Sequence, residues 1–141
     1  MSWQSYVDDH LVAVQSNGGR LTHAAIAGKD GTVWAKDEEF VITTEEVLRL
    51  ASYFIESSEV HRTGIILNGE KYIAVVIDIR PGDGSGSLIC GKQGSMGGVV
   101  ISRTHSALVV GVHKSLSESF RLEHCNLIVT HISKFLIDQG Y

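Results

Sequence analysis

Proline, cysteine and long apolar runs are scarce in this sequence of 141 residues, which holds one proline and two cysteines. The two cysteines, Cys90 and Cys125, are far apart and lack CxxC spacing, which favours free thiols in a reducing compartment. No apolar run approaches the length that crosses a bilayer, and the first residues lack the basic-then-apolar pattern of a signal peptide. These absences lead us to expect a soluble cytoplasmic protein.

Positive charge is also scarce, since 12 Lys and Arg residues face 16 Asp and Glu residues and give a net charge of −4. Broad nucleic-acid binding needs clustered positive charge to displace counterions, so we expect no nucleic-acid partner. The chain does have a hydrophobic fraction of 43%, over a length sufficient for one core without metal or disulfide support. No internal repeat or long linker divides it, and we expect a single domain over residues 1–141.

Helical and strand patterns alternate in the first part of the chain. Ser2 is a good N-cap for a first helix, whose apolar residues follow at helical spacing until the stretch QSNGGR. The segments LTHAAIAG and VWAK flank Asp30-Gly31, a strong hairpin signal. Thr43 and Glu46 form a capping box that begins a second amphipathic helix, which we expect to end at about Ser57. The apolar face of this helix is formed by Val47, Leu50, Ala51, Phe54 and Ile55.

From Gly64 to His113 the pattern changes to closely spaced strands. The run GIILNGEKYIAVVIDI holds an Asn68-Gly69 turn, and LICGKQ, GGVVISRT and ALVVGVH predict three further strands after the loop RPGDGSGS. The stretch LEHCNLIVTHISKFLIDQG predicts a last amphipathic helix, with Gly140 placed as its C-terminal cap. Strands joined by short turns pair antiparallel, because a parallel pair needs a long crossover. We therefore predict an α+β fold, with a central antiparallel β-sheet meander and the N- and C-terminal helices packed together on one face.

Signals for catalysis or metal binding are incomplete. GSLICGKQ approaches the phosphate-loop pattern GxxxxGK[ST], but Gln93 replaces the metal-binding hydroxyl and the segment has strand character. His124 and His131 can share one helix face, yet no HExxH or CxxC spacing completes a metal site. No nucleophile, base and orienting group assemble, so we expect no enzyme, metal or cofactor, although a small phosphate-handling enzyme built on residues 86–93 stays open.

Five large rings are unusual in position, because they cluster at the two ends of the chain and on one early strand. They are Trp3, Tyr6, Trp34, Phe135 and Tyr141. One hypothesis is that all five pack into the core, where large aromatic side chains usually lie. The other is that the first and last helices lie side by side and expose a groove of rings. Such a groove suits proline-rich ligands, because a polyproline helix is already ordered and loses little entropy on binding.

Four segments carry a resemblance to a known family: SWQSYVD, HAAIAGKDGTVWA, GKQGSMGGVVISRT and FLIDQGY. They follow one another in the family's order, span essentially the whole chain, and make the sequence resemble the profilins. The resemblance implies a small protein that binds monomeric actin and regulates filament assembly. It also implies binding of proline-rich segments of partners such as formins, and of anionic phosphoinositides. No catalytic residue or cofactor belongs to the family pattern, and we expect a monomer.

The resemblance implies two sets of binding residues. Those of the polyproline groove are Trp3, Tyr6, Trp34, Phe135 and Tyr141, with Leu136 adjacent. Those for actin are Lys71, Lys92, Asn126 and Thr130, on the sheet side away from the groove and at the start of the last helix. By spacing alone, these four would be ordinary solvated residues.

Some positions depart from the family pattern. Phe135 stands where relatives often have Tyr or His, which removes one polar tip from the groove. Cys90 and Gln93 replace basic residues, which lowers the expected phosphoinositide affinity because each basic residue near an anionic surface contributes ~1 kcal/mol. The stretches RPGDGSGS and SLSESFRLEH also look extended. These departures keep a second hypothesis open, a proline-rich-peptide adaptor with weak or lost actin binding.

Overall fold

Seven antiparallel strands form the sheet of the computed structural model, which describes residues 2–13, 20–94, 97–114 and 121–141. The strands are β1 (His23–Gly28), β2 (Val33–Lys36), β3 (Ile65–Leu67), β4 (Glu70–Asp78), β5 (Leu88–Gln93), β6 (Gly97–Arg103) and β7 (Ala107–His113). Their order across the sheet is β2-β1-β7-β6-β5-β4-β3. Each segment that the sequence assigned to a strand forms one, and the predicted antiparallel α+β fold is confirmed.

The sheet is not one continuous meander. Strands β3 to β7 are consecutive neighbours, whereas the β1–β2 hairpin returns to pair β1 with β7. This pairing runs from His23 opposite Val112 to Gly28 opposite Ala107. The predicted meander is therefore correct for five strands and incomplete for the hairpin. Pairing between segments that are distant in sequence cannot be read from local turn patterns, which fix only the register of neighbouring strands.

Four α-helices accompany the sheet in the described residues. They are α1 (Trp3–Tyr6), α2 (Thr44–Tyr53), α3 (Ser58–Thr63) and α4 (Leu122–Asp138). Helix α1 continues directly into a π-helical segment, Val7–Leu11. The first helix thus begins as predicted after its Ser2 cap, while its predicted end in QSNGGR lies outside the described residues.

The second helix is shorter than predicted. Its capping box is present, with the Glu46 N–H donating to Thr43 Oγ1 at 3.1 Å and the Thr43 N–H donating to Glu46 Oε1 at 3.2 Å. However, α2 ends at Tyr53, and the separate short helix α3 follows it. Ile55, which we predicted on the apolar face, is 83% exposed. It lies in the turn between the two helices, where helical spacing no longer applies.

The sheet carries a hydrophobic core on each face. Helices α2 and α3 cover one face, where Leu50 packs in the same core as Val110 of β7. The π-helical segment and α4 cover the other face, where Leu11 and Val129 share a core with Val109. Neighbouring residues of β7 point to opposite cores because side chains alternate along a strand. As predicted, the N- and C-terminal helices therefore lie on the same face.

Gly111 allows α4 to approach β7 closely. A Cβ atom at this position would lie 2.5 Å from Val129 Cγ2 and 2.9 Å from Leu21 Cδ1, both shorter than van der Waals contact. The missing side chain therefore sets the depth at which α4 rests on the sheet.

The segment that approaches the phosphate-loop pattern is a strand. Residues Leu88–Gln93 form β5, which pairs with β4 on one side and β6 on the other. Its amides are used in the sheet, so they cannot form a phosphate-binding loop. The preceding stretch RPGDGSGS is a loop, as predicted.

Candidate functional site

The five large rings come together in one cluster. Trp3 is at its centre, with its ring centroid 4.8 Å from that of Trp34 and 4.9 Å from that of Tyr141. Tyr6 extends the cluster, with its centroid 5.8 Å from Trp3 and 5.9 Å from Phe135. The interplanar angles lie between 42° and 80°, the tilted and edge-to-face range that aromatic pairs favour. We call these five side chains the ring cluster.

The ring cluster lies at the surface, above an aliphatic core. Phe135 and Tyr141 are 44% and 46% exposed, and the other three rings are partly buried. Beneath the rings, Val7 and Leu11 are fully buried and fill the space between the helices and the sheet. Of the two hypotheses drawn from the sequence, the structure therefore agrees with exposed, adjacent rings.

The first helical turn orients the two N-terminal rings. The Ser5 N–H donates to Ser2 Oγ at 3.1 Å and satisfies one of the free amides at the start of α1. Gln4 Nε2 donates to the main-chain oxygen of Lys36 at 2.8 Å. This bond ties α1 to β2, the strand that carries Trp34, and so fixes the spacing of rings from two distant segments.

Trp34 lies directly against a glycine of the neighbouring strand. A Cβ atom at Gly28 would lie 2.7 Å from Asp30 Oδ1 and 3.0 Å from Trp34 Nε1. The bare backbone at Gly28 thus makes room for the indole. Asp30 Oδ1 accepts the Thr32 N–H at 3.0 Å, and the hydrogen bonds from Thr32 hold the pKa of this carboxyl below its ordinary value.

Helix α4 presents Phe135 on its exposed side and Leu136 on its buried side. Leu136 is fully buried in the core beneath the terminal helices. Leu136 is thus next to the rings, as the resemblance implied, but direct contact with a ligand is corrected: it has no exposed surface and supports the ring cluster from below. Phe135 has no polar atom, so it contributes an apolar face alone.

Gly140 ends α4 and turns the chain back toward Trp3. Its φ of 92° lies in the left-handed region, as its predicted role as a C-terminal cap requires. The Gly140 N–H donates to the Ile137 oxygen at 3.0 Å, and the Tyr141 N–H donates to the Leu136 oxygen at 2.9 Å. These two bonds place the Tyr141 ring edge-on to Trp3.

The two lysines of the second candidate surface lie on the far strands of the sheet. Lys92 on β5 is opposite Ile73 on β4, and Lys71 lies two residues before Ile73 on the same strand face. Cys90, two residues before Lys92, belongs to the core under α4. The lysines therefore lie on the same sheet face as the terminal helices. We expected them on the side of the sheet away from the groove; instead they are separated from it laterally, along the same face.

Asn126 and Thr130 lie one turn apart on α4, and both are half-buried. Thr130 Oγ1 donates to the main-chain oxygen of Asn126 at 2.7 Å, so the hydroxyl is used within the helix. Thr130 also lines a groove of about 840 Å³ along α4, together with His131 and Lys134. The five rings of the ring cluster do not line this groove.

An apolar strip on β4 was missed by sequence reasoning. Ile73, Val75 and Val76 are 70%, 51% and 43% exposed. Helix α4 packs mainly on β6 and β7, which leaves the same face of β4 open. The sequence signal was the unbroken apolar run YIAVVI at residues 72–77, because a strand with one solvated face normally alternates apolar and polar residues. An exposed apolar strip flanked by Lys71 and Lys92 is typical of a protein-binding surface.

Both cysteines are buried free thiols. Burial raises the pKa of Cys90 to about 11 and that of Cys125 to about 12. Neutral thiols of this kind behave as small apolar side chains rather than nucleophiles. This environment agrees with the predicted core position of Cys125.

Across residues 2–13, 20–94, 97–114 and 121–141, no three His, Cys, Asp or Glu side chains converge as metal ligands. The helices in the same ranges include none with the length and hydropathy of a membrane span.

The family model for profilin matches residues 1–141. Profilin IA of Acanthamoeba castellanii is 34% identical, with a TM-score of 0.82 over 99% of this chain and 100% of that chain. Mouse profilin IIa, solved with a double repeat from the FH1 domain of mDia1, is 24% identical with a TM-score of 0.70 over the full length of both chains. LokiProfilin1, solved with rabbit actin, is 21% identical with a TM-score of 0.59 over 84% of each chain. The match along the whole sequence and the shared fold show that this chain belongs to the profilin family.

Proposed function

We propose that this protein binds monomeric actin and proline-rich segments through two separate surfaces, and so regulates actin filament assembly. The observation that carries the proposal is the ring cluster, in which rings from α1, β2 and the end of the chain meet at the surface. We further propose that residues 1–141 act as one monomeric domain in the cytoplasm, by binding rather than by catalysis.

The chemistry of the ring cluster suits a polyproline helix. Such a helix has no internal hydrogen bonds, so its carbonyl oxygens are free to accept, and its rings offer flat apolar faces. The indole N–H groups of Trp3 and Trp34 and the hydroxyls of Tyr6 and Tyr141 are donors at the edges of apolar rings. Phe135 adds stacking area without a donor. The FH1 double repeat bound to the similar mouse protein supports this ligand class.

The apolar strip on β4 suits a protein partner. It combines apolar side chains with two flanking lysines, and interface centres are commonly apolar with charged residues at the rim. Membership of the profilin family and the similar LokiProfilin1, solved with rabbit actin, support actin as that partner. We propose Lys71, Lys92, Asn126 and Thr130, which the family resemblance implied, as residues of this surface, and we add Ile73 to them.

Anionic phosphoinositides are a third proposed ligand, held by the exposed Lys71 and Lys92. The neighbouring Gln93 has no charge, and Cys90 is buried and held neutral by its raised pKa. Because two lysines on an exposed surface give little attraction once salt screens them, we expect weak binding that falls steeply with ionic strength.

A titration with an oligoproline peptide tests the proposed groove. Trp3 and Trp34 are the two tryptophans of the chain and both belong to the ring cluster. A ligand that stacks on them changes their environment, so we expect a saturable shift in intrinsic fluorescence. The absence of any shift at millimolar peptide contradicts the proposal.

The rate of actin polymerisation tests the second surface. Excess protein is expected to slow spontaneous assembly, because bound monomers cannot nucleate. Ile73→Asp places a charge in the apolar strip and should remove the effect. Ile55→Asp, at a position 83% exposed in the turn between α2 and α3, is a matched control that should keep it. If the wild-type protein changes neither nucleation nor elongation, the actin half of the proposal is wrong.

The second candidate function is an adaptor for proline-rich peptides with weak or lost actin binding. The uncharged side chains at Cys90 and Gln93 favour it. A fluorescence response to oligoproline, together with no effect on actin, selects the adaptor over the main proposal.

A further inference from the structure

Three donors from one turn converge on the main-chain oxygen of Tyr141. The Ser106 N–H donates to it at 2.7 Å, Ser106 Oγ at 2.8 Å and Thr104 Oγ1 at 2.9 Å. These donors belong to the turn between β6 and β7, more than 30 residues earlier in the sequence. A single oxygen that accepts three bonds is strongly fixed in position.

The turn that supplies these donors is itself fixed on both sides. Thr104 is fully buried, and its Oγ1 also accepts the Ala107 N–H at 2.9 Å. His105, the middle residue, has Nδ1 2.6 Å from Asp83 Oδ2 in the loop before β5. The hydrogen bond with His105 holds the pKa of the Asp83 carboxyl well below its ordinary value, so the carboxylate stays charged and available to this contact.

The Tyr141 side chain has few other constraints. Its ring touches Trp3 edge-on and is 46% exposed. Its N–H donates to the Leu136 oxygen, the bond that closes the end of α4. The direction in which the ring leaves the backbone is therefore set by the Leu136 bond on one side and by the turn on the other.

We propose that Thr104 and Ser106 are positioning residues for the ring cluster, acting through the main-chain oxygen of Tyr141. They do not touch the ligand. Their hydroxyls hold Tyr141 against Trp3 before a proline-rich segment arrives, so the binding surface is ordered in advance and the ligand does not have to order it. This inference rests on the proposed binding of proline-rich segments and adds to it the residues that organise one end of the surface.

Loss of one hydroxyl is expected to weaken binding without removing it. The Ser106 N–H, the Thr104 hydroxyl and the Leu136 bond stay in place in Ser106→Ala, so Tyr141 keeps three of its anchors. One hydrogen bond of this kind corresponds to an oligoproline affinity about threefold to tenfold lower. The lost order should appear mainly as faster dissociation.

The experiment compares four forms of the full chain: wild type, Ser106→Ala, Ser106→Thr and Ser52→Ala. Ser52 Oγ donates to the Arg49 oxygen at 2.6 Å on α2, so its loss is a matched control for removing a hydroxyl that bonds to the backbone. Each form is titrated with oligoproline, and the tryptophan fluorescence and Tyr141 ring NMR signals are recorded without ligand.

We expect Ser106→Ala to bind threefold to tenfold more weakly, with shifted Tyr141 signals in the free protein, and Ser106→Thr to restore both. Ser52→Ala should match the wild type. Wild-type affinity and unchanged Tyr141 signals in Ser106→Ala overturn the inference, and so does a loss that Ser106→Thr does not restore.

The free-protein signals separate this inference from the proposed function. If the wild type itself does not bind oligoproline, the proposed function fails. Shifted Tyr141 signals in Ser106→Ala then still support the positioning role, and unshifted signals overturn it.

Thr104→Ser is the second variant, because it keeps the hydroxyl at a buried position where a larger change risks unfolding the turn. Thr104→Ser should bind oligoproline with wild-type affinity. Weaker binding would contradict the inference that the Thr104 hydroxyl holds the Tyr141 oxygen.

Discussion

Trp3 contacts three of the four other rings, so it is the residue on which the ring cluster most depends. Its neighbours come from β2 and from the end of the chain, and Trp3 is what joins them into one surface. Large, partly buried aromatic side chains at the centre of a contact surface commonly contribute most of the binding free energy. Ile55, by contrast, is an exposed apolar residue that lies outside the ring cluster.

Replacing Trp3 with alanine is expected to weaken oligoproline binding about 30-fold or more, which corresponds to a loss of roughly 2 kcal/mol. The cause is the loss of both stacking area and the support of Tyr141 and Trp34. Isothermal titration calorimetry measures the affinity without relying on the removed tryptophan. Ile55→Ala, which also deletes an exposed apolar side chain, is the control and should bind normally. Equal affinities for both variants would falsify the assignment of the groove.

The buried thiols give the folded protein a defined response to alkaline pH. Burial raises the pKa of Cys90 to about 11 and of Cys125 to about 12, while an exposed thiol in the unfolded chain titrates near 9.0. The unfolded state thus loses protons first. The stabilising contribution of the neutral thiols is complete below pH ~9 and is lost progressively as the pH rises toward the folded-state values.

The free energy of unfolding should therefore fall between pH 9 and 11, by at most ~1.4 kcal/mol per pH unit for each thiol. Urea unfolding at several pH values measures this slope. The double variant Cys90→Ala/Cys125→Ala should show a shallower fall, and it keeps Tyr72, whose pKa burial also raises, so that tyrosine cancels in the comparison. Identical slopes for the two proteins contradict the assignment.

At the scale of elements, the end of α4 links stability to the ring cluster. The left-handed turn at Gly140 terminates the helix and returns Tyr141 to Trp3. A residue with a side chain strains this conformation, because its Cβ crowds the following carbonyl oxygen. The same substitution at a glycine far from the ring cluster affects stability alone, so the effect on stability can be separated from the effect on ligand binding.

Gly140→Ala should lower the free energy of unfolding by ~1–2 kcal/mol and also weaken oligoproline binding, because relaxation of the turn moves Tyr141. Gly82→Ala is a matched control, since Gly82 has a φ of 77° with no atoms near the added Cβ, as at Gly140. It should cost similar stability and leave oligoproline affinity unchanged. A similar loss of affinity in both variants means that the effect reflects general destabilisation.

The elements that could be predicted from sequence are those specified by local chemistry. The Asn68-Gly69 turn has positive φ at both residues, 56° and 73°, and was readable because few other residue pairs adopt it. The break between α2 and α3 was not readable, since no glycine or proline interrupts residues 54–57. The pairing of β1 with β7 also left no local trace, because it joins segments about 80 residues apart.

The candidate site shows the same division. The ring positions were predicted from their unusual distribution and the family resemblance. The burial of Leu136 could not be predicted, because it depends on how α4 is rotated about its axis against the sheet. The exposure of Ile73 could not be predicted either, because it depends on which strands α4 covers. Neither property is local, so neither followed from the spacing of residues along the chain.

At the scale of the whole molecule, the two candidate surfaces share a sheet face and are separated across it. Trp34 lies on β2 and Ile73 on β4, five strand positions away in the sheet order. At about 4.8 Å per strand this is roughly 24 Å along the sheet, with α4 standing between the two surfaces. A short proline-rich segment on the rings therefore does not reach the apolar strip. We expect the proline-rich segment and actin to bind the protein at the same time.

Sedimentation velocity with a fluorescent oligoproline peptide, actin monomers and this protein tests that separation most directly. We expect the labelled peptide to sediment with the actin complex and to bind with the same affinity with and without saturating actin. Peptide that is displaced as actin is added, or actin that is released by excess peptide, would show that the ring cluster and the β4 strip are not independent binding surfaces.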